Sequence, residues 1–174
     1  ILCVSNDVKK ILSKYGVNSS ICKVNHIGSL VAENVRVHKK SIDERKVIFG
    51  FIGGVGYYKG VHLMIEAFLQ LSSEEQRRSK LDIYGAADPR YLASMMETIH
   101  QSELPEEIKS NITFHGRYTP DDMANIFDTI DISILPSLCA DTAPQTIFES
   151  FSNGLPIIAP NIGGFPDFVI DDSN

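Results

Sequence analysis

The sequence predicts an α/β domain in which a parallel sheet is covered by helices on both faces, and three observations predict it. Five short apolar runs, within 45–52, 81–84, 112–115, 132–135 and 155–159, are each too uniformly apolar to keep one face in water. The stretches between them carry apolar residues at helical spacing and open on Thr, Asp or Gly, so strands and helices alternate. The runs also end in Gly, Ser or Pro. That places Gly53-Gly54, Gly85, Gly116, Pro136-Ser137 and Gly163-Gly164 on one rim beyond the carboxyl ends of the strands, where such sheets take ligands.

Taken in order, Ile1 to Val4 reads as the end of a buried strand. Ser5 then caps a helix carrying Val8, Ile11, Leu12 and Tyr15 and ending at Gly16. An alternating piece, Ile21 to Ile27, precedes a charged stretch from Glu33 to Lys46 that has neither period and reads as a linker. The strand Arg45 to Ile52 runs into a glycine-rich turn, and the next helix places Val61, Met64, Ile65, Phe68 and Leu71 on one side. The second unit is strand Leu81 to Tyr84 and a helix capped by Asp88-Pro89 with Leu92, Met95, Met96 and Ile99 inward. The third is strand Ile112 to His115 and a helix opened by Thr119-Pro120 with Met123, Ile126, Phe127 and Ile130. In the fourth, a strand holding Ile132, Ile134 and Leu135 leads to a helix expected to open at Thr142, through a capping box ending at Gln145, and to stop at Asn153-Gly154. Strand Leu155 to Ala159 follows.

The composition narrows the class. A chain of 174 residues, 43% hydrophobic and 22% charged, supports one sizeable core. A net charge of −6 argues against broad nucleic-acid or acidic-membrane binding, although an isolated anionic ligand remains compatible. Cys3, Cys22 and Cys139 have no metal-type spacing and leave an odd one over, which suits reduced thiols in the cytoplasm. No apolar run approaches the roughly 20 residues of a membrane-spanning helix, so any membrane contact is expected to be peripheral. The sequence opens at Ile1 without a methionine and stops at Asn174, and it reads as a piece of a longer protein.

Several residues invite chemistry. Asp141 and Glu149 lie eight positions apart around a helix start, where first-turn N–H groups favour an anion; equally, Asp141 could supplement the cap and Glu149 share a solvated face with Gln145 and Ser152. Lys59 could be a solvated lysine. A cation is unfavourable at the start of a helix, however, which hints at a ligand anion beside it. Gly54-x-Gly56-x-x-x-Gly60 resembles a dinucleotide-binding turn, but the acidic residue expected to close the second strand is missing, since that strand ends Tyr84-Gly85 and Asp82 lies mid-strand. His26, His62, His100 and His115 lack metal-ligand spacing. Tyr57-Tyr58 could shield a phosphate or merely cover the loop.

Read together, the segments resemble the C-terminal, Rossmann-like domain of a GT-B-fold retaining glycosyltransferase of the "group 1" family. Residues 49–68 (FGFIGGVGYYKGVHLMIEAF) resemble its first strand, phosphate loop and following helix, and 81–85 (LDIYG) its second strand. Residues 111–137 are similar to its third and fourth strands, 141–169 to its E-x7-E segment, and 4–28 to the end of its N-terminal domain and crossover. The resemblance implies that 1–45 close an N-terminal domain and that 46–174 form a nucleotide-sugar-binding domain truncated at its C-terminus.

It further implies that Glu149 holds the ribose hydroxyls, that Asp141, one methylene shorter than the family's glutamate, faces the donor sugar, and that Lys59 meets the diphosphate. Thr142, Ala143, Pro144, Gln145 and Thr146 would serve the diphosphate and sugar, with Gly53 and Gly54 in the phosphate loop. Gly85, Arg117 and Tyr118 would form the base-binding rim. Gly54 stands where the family has an arginine. The implied reaction is transfer from a UDP- or GDP-type nucleotide sugar to an acceptor hydroxyl with retention, the donor being a substrate, with no cofactor and no metal required. A sugar or lipid-linked acceptor would be met through an N-terminal domain, as in cytoplasmic polysaccharide biosynthesis with at most a peripheral contact at the inner face of the membrane. The fragment alone is expected to be inactive. Alternatives are a non-catalytic nucleotide-sugar-binding module, motivated by Gly54 and Asp141, and a nucleotide-sugar epimerase of the same fold.

Overall fold

The computed structural model describes residues 1–28 and 45–170. The expected linker up to residue 44 and the last four residues lie outside the described residues.

Strands β1 (Leu2–Cys3) and β2 (Lys23–Val24) pair in parallel around helix α1 (Asn6–Lys14). Ser5 caps α1 as expected, its side chain accepting from Val8 N. A sheet two strands wide covers little, however: Cys3 is buried, Leu2 is exposed, and no residue of α1 is fully buried. This segment is tied to the rest through Asp167, whose carboxylate accepts from Asn6 N at 2.7 Å and Asn6 Nδ2 at 3.1 Å and lies 3.5 Å from His26 Nε2.

The main sheet contains β3 (Val47–Ile52), β4 (Ser79–Tyr84), β5 (Ile112–Gly116), β6 (Ile132–Ile134) and β7 (Ile157–Ile158). All pairs are parallel and the order is β5-β4-β3-β6-β7, so the predicted parallel sheet is present. The chain winds outward from β3 to one edge, then crosses back to continue on its other side. The direction of winding reverses between β3 and β6, and right-handed crossovers therefore put the helices on opposite faces. Helices α2 (Val61–Leu69) and α4 (Pro89–Gln101) cover one face with Phe51, Leu81 and Ile83 beneath them. On the other, α6 (Met123–Thr129) packs on Ile52 and Tyr84, and the Ile147 of α7 (Gln145–Ser152) on Leu135.

Two expectations change, and two helices are additional to those expected. Met96 is 56% exposed, because Tyr91, Leu92, Met95 and Ile99 already form the inward seam of α4 and Met96 lies past its edge. Helix α3 (Ser73–Arg77), unexpected from its short charged sequence, forms on a capping box between Ser72 and Glu75, and its buried Gln76 donates to the carbonyls of Phe68 and Leu69 at the end of α2. The four-residue α5 (Glu106–Lys109) was also unforeseen. Finally, α7 starts at Gln145 with Pro144 as its cap residue and no side-chain cap bond, so the Thr142 capping box does not form. Proline disfavours helical geometry in the residue before it, which keeps Ala143 and Thr142 out of the helix.

Several rim glycines serve contacts between loops. A Cβ on Gly85 would sit 1.7 Å from the Gly53 carbonyl oxygen, at φ +149°, and one on Gly60 1.9 Å from that of Pro136. Gly85→Ala is accordingly expected to lose about 2–3 kcal/mol of stability; thermal unfolding within 0.5 kcal/mol of the parent, a bound of roughly the scatter for neutral surface changes, would contradict this packing.

Candidate functional site

The crevice lies where the fold class places it. After β3 the chain turns through Gly53-Gly54 into the single-turn helix Tyr57–Lys59, and after β6 it runs through Ser137 to Asp141 and the start of α7. Between these two loops, at the reversal of winding, is a cavity of about 140 Å³ lined by Phe51, Ile52, Gly53, Gly54, Lys59, Leu135, Ser137, Asp141, Pro144, Gln145, Thr146 and Phe165.

The loops are joined by backbone as well as side chains. Leu138 N donates to Tyr58 O at 2.8 Å, and Ser137 Oγ to the same carbonyl at 3.4 Å. Lys59 Nζ donates to Asp141 Oδ2 at 2.8 Å, with the two side chains 43% and 25% exposed. Thus the compensating anion expected beside Lys59 is supplied by the protein itself. Asp141 does not cap α7. Helix α7 is held by Ile147 and by a buried bond from Ser150 Oγ to Ser133 Oγ at 3.0 Å, which turns Gln145 and Thr146 toward the cavity. Its cap residue Pro144 makes no side-chain cap bond, so among the described residues its first-turn N–H groups are open to an anion there.

Of the residues singled out from the sequence, Gly53, Gly54, Lys59, Asp141, Pro144, Gln145 and Thr146 meet in this cavity. Glu149 lies one helical turn beyond Gln145 on α7. Burial, and after it the charge of the Glu149 carboxylate, raise the Tyr118 phenol above its ordinary value. Arg117 and Tyr118 line a neighbouring hollow of about 360 Å³ with Tyr84, His115, Asp122 and Asn125. There His115 stacks on Tyr84 at 4.1 Å, and its Nε2 lies 3.1 Å from Asp82 Oδ1. The mid-strand acid therefore faces a strand neighbour, not a ribose beyond the strand end. Glu149, Arg117 and Tyr118 thus do not line the cavity itself, nor do three others: Gly85 is buried against Gly53, Ala143 is buried, and the Thr142 carbonyl packs over Gly164.

Sequence reasoning missed Phe165, which is buried and closes the cavity behind the Gly163-Gly164 turn; its only signal was that turn. It also missed how Tyr57 is held, stacked on His62 at 4.8 Å while His62 Nδ1 and Tyr91 OH lie 2.6 Å apart. Among the described residues no group of three His, Cys, Asp or Glu could hold a metal ion, and no helix is long and apolar enough to cross a membrane.

A doubly wound parallel sheet with a crevice lined by Lys59 and Asp141 at its reversal point defines the class: a Rossmann-like domain with a cavity between two strand ends, where such folds take ligands. The particular family follows from the match of residues 32–174 to the model of "Glycosyl transferases group 1", and the chain belongs to that family. Its fold is that of the C-terminal domain of GT-B glycosyltransferases. It is similar to Anabaena Alr3699/HepE in complex with UDP and glucose (TM-score 0.77, 16% identity, covering 97% of this chain and 46% of that one). It is also similar to WaaG, a glycosyltransferase involved in lipopolysaccharide biosynthesis (TM-score 0.74, 16% identity, 96% and 45%). A third is the C-terminal domain of the group 1 family protein LpcC from Francisella tularensis (TM-score 0.67, 17% identity, 84% and 77%). The chain thus spans less than half the length of the first two. No curated protein matches it.

Proposed function

We propose that this chain is the donor-binding half of a retaining glycosyltransferase that moves a sugar from a nucleoside diphosphate to an acceptor hydroxyl. The observation that carries this reading is the crevice at the reversal point, where Lys59, the Gly53-Gly54 turn and the uncapped start of α7 converge. Negative charge develops on the leaving diphosphate, and a fixed cation with preorganised N–H groups stabilises it. In this reading Asp141 meets the donor sugar, and Glu149, one turn beyond Gln145 on α7, takes the ribose hydroxyls. The UDP and UDP-glucose complexes of the Anabaena protein support a nucleotide-sugar donor. The acceptor is expected to approach across an N-terminal domain, and the described fragment alone to be inactive.

Titration calorimetry with UDP, GDP and ADP tests the reading. Binding of one of them, abolished or strongly weakened by Glu149→Ala, is expected; no binding, or an indifferent variant, refutes it. The second reading, a binding module without transfer, is favoured by Gly54, which leaves a single cation among the described residues lining the cavity. Transfer or hydrolysis of a donor sugar by the full-length protein would exclude it.

Gly54 offers a gain-of-function check. Gly54 lines the cavity, and a Cβ there meets nothing within 4 Å, so a side chain can start from this position without a clash. Gly54→Arg is expected to tighten nucleoside diphosphate binding about tenfold, the worth of one charge-assisted hydrogen bond. Unchanged affinity in a folded variant would mean that the diphosphate lies elsewhere.

A further inference from the structure

Lys59 and Asp141 supply opposite unit charges to the cavity, and their 2.8 Å contact leaves its charged lining formally neutral. A pyrophosphate group, with at least two negative charges, thus meets a lysine already satisfied by a carboxylate. The geometry points to Asp141 as a built-in competitor for pyrophosphate: its carboxylate holds the place on Lys59 that a phosphate oxygen takes, and ligand entry and release proceed by exchange of the two anions. This rests on the reading of the cavity as a diphosphate site and adds how that site is regulated.

Three features make exchange feasible. Both side chains are partly exposed, at 43% and 25%, so the displaced carboxylate turns along the solvated rim toward the place of the donor sugar and avoids the penalty of a buried unpaired charge. The loops carrying them are joined independently, by Leu138 N to Tyr58 O and by the Gly60 contact with Pro136, so breaking the ion pair does not open the rim. The incoming group carries more charge than the carboxylate it replaces and also reaches the first-turn N–H groups of α7, which Asp141 does not cap. In the reverse direction, the carboxylate recaptures Lys59 as the diphosphate leaves. Asp141 therefore holds product affinity below what lysine and backbone amides would give alone.

The test is a double-mutant cycle read by calorimetry in the intact protein, with inorganic pyrophosphate and with UDP, GDP and ADP as probes. Asp141→Asn, which keeps shape and removes charge, is expected to tighten pyrophosphate about fivefold. In a Lys59→Met background the same change should gain less than about twofold, because the lysine being contested is gone. Equal gains in both backgrounds would show simple repulsion and overturn the exchange, as would unchanged or weaker binding to Asp141→Asn. If pyrophosphate responds as expected while no nucleoside diphosphate binds, the exchange stands and the nucleotide-sugar reading falls. If neither the parent nor Asp141→Asn binds any probe, both are refuted.

Discussion

Replacing Arg45 with alanine is expected to lower stability by about 3 kcal/mol, and its melting temperature by roughly 6–12 °C for a chain of this size. The guanidinium of Arg45 grips Asp131 with both nitrogens, at 2.6 and 2.5 Å, and the same carboxylate accepts from Ile48 N at 2.8 Å. The bond to Asp131 holds Arg45 charged, pushing its already high value further up. This grip fastens the beginning of β3 to the residue before β6, at the end of the sheet opposite the cavity. Asp131 has a side chain only 3% exposed, so losing the guanidinium removes the bidentate cation from a buried carboxylate. Differential scanning calorimetry of Arg45→Ala, Asp131→Ala and the double variant measures the coupling. A double variant as destabilised as the sum of the singles would show that the pair does not act as a unit. Ligand affinity should be unchanged, because β3 is six residues, about 20 Å, long and separates this clamp from the cavity.

Lys59→Met should do the opposite, leaving the fold intact and weakening nucleoside diphosphate binding roughly ten- to a hundredfold, the loss of a charge-assisted bond. Its pair with Asp141 is partly solvated, so stability should change by less than about 1 kcal/mol. Calorimetric titration with UDP and GDP alongside a thermal scan separates the two effects; affinity within twofold of the parent, about 0.4 kcal/mol, would remove Lys59 from the site.

Local chemistry was readable wherever a short-range rule had no competitor. Ser5 and Asp88 cap helices where their positions predicted, since an N-cap needs only its own side chain and the next few N–H groups. The same kind of reasoning failed at Thr142, where the capping-box pattern was present but Pro144 closed helical geometry to the residue before it. Met96 failed for another reason: periodicity gives a stripe, and the width of the stripe that is buried depends on what lies against it. Gly85 was correctly placed at a strand end, yet its role there is set by the Gly53 carbonyl, which belongs to a different loop.

The residues by themselves determined the alternation of strands and helices, the parallel sheet and the rim of strand-end glycines at Gly53-Gly54, Gly85 and Gly116, because burial on both faces and strand-end glycines leave their mark within each segment. Strand order, the cavity between β3 and β6, and the contact between Lys59 and Asp141, 82 positions apart, were decided only by the tertiary structure. Those features are relations between segments distant along the chain, and they come into being when the sheet assembles and brings two loops to one rim.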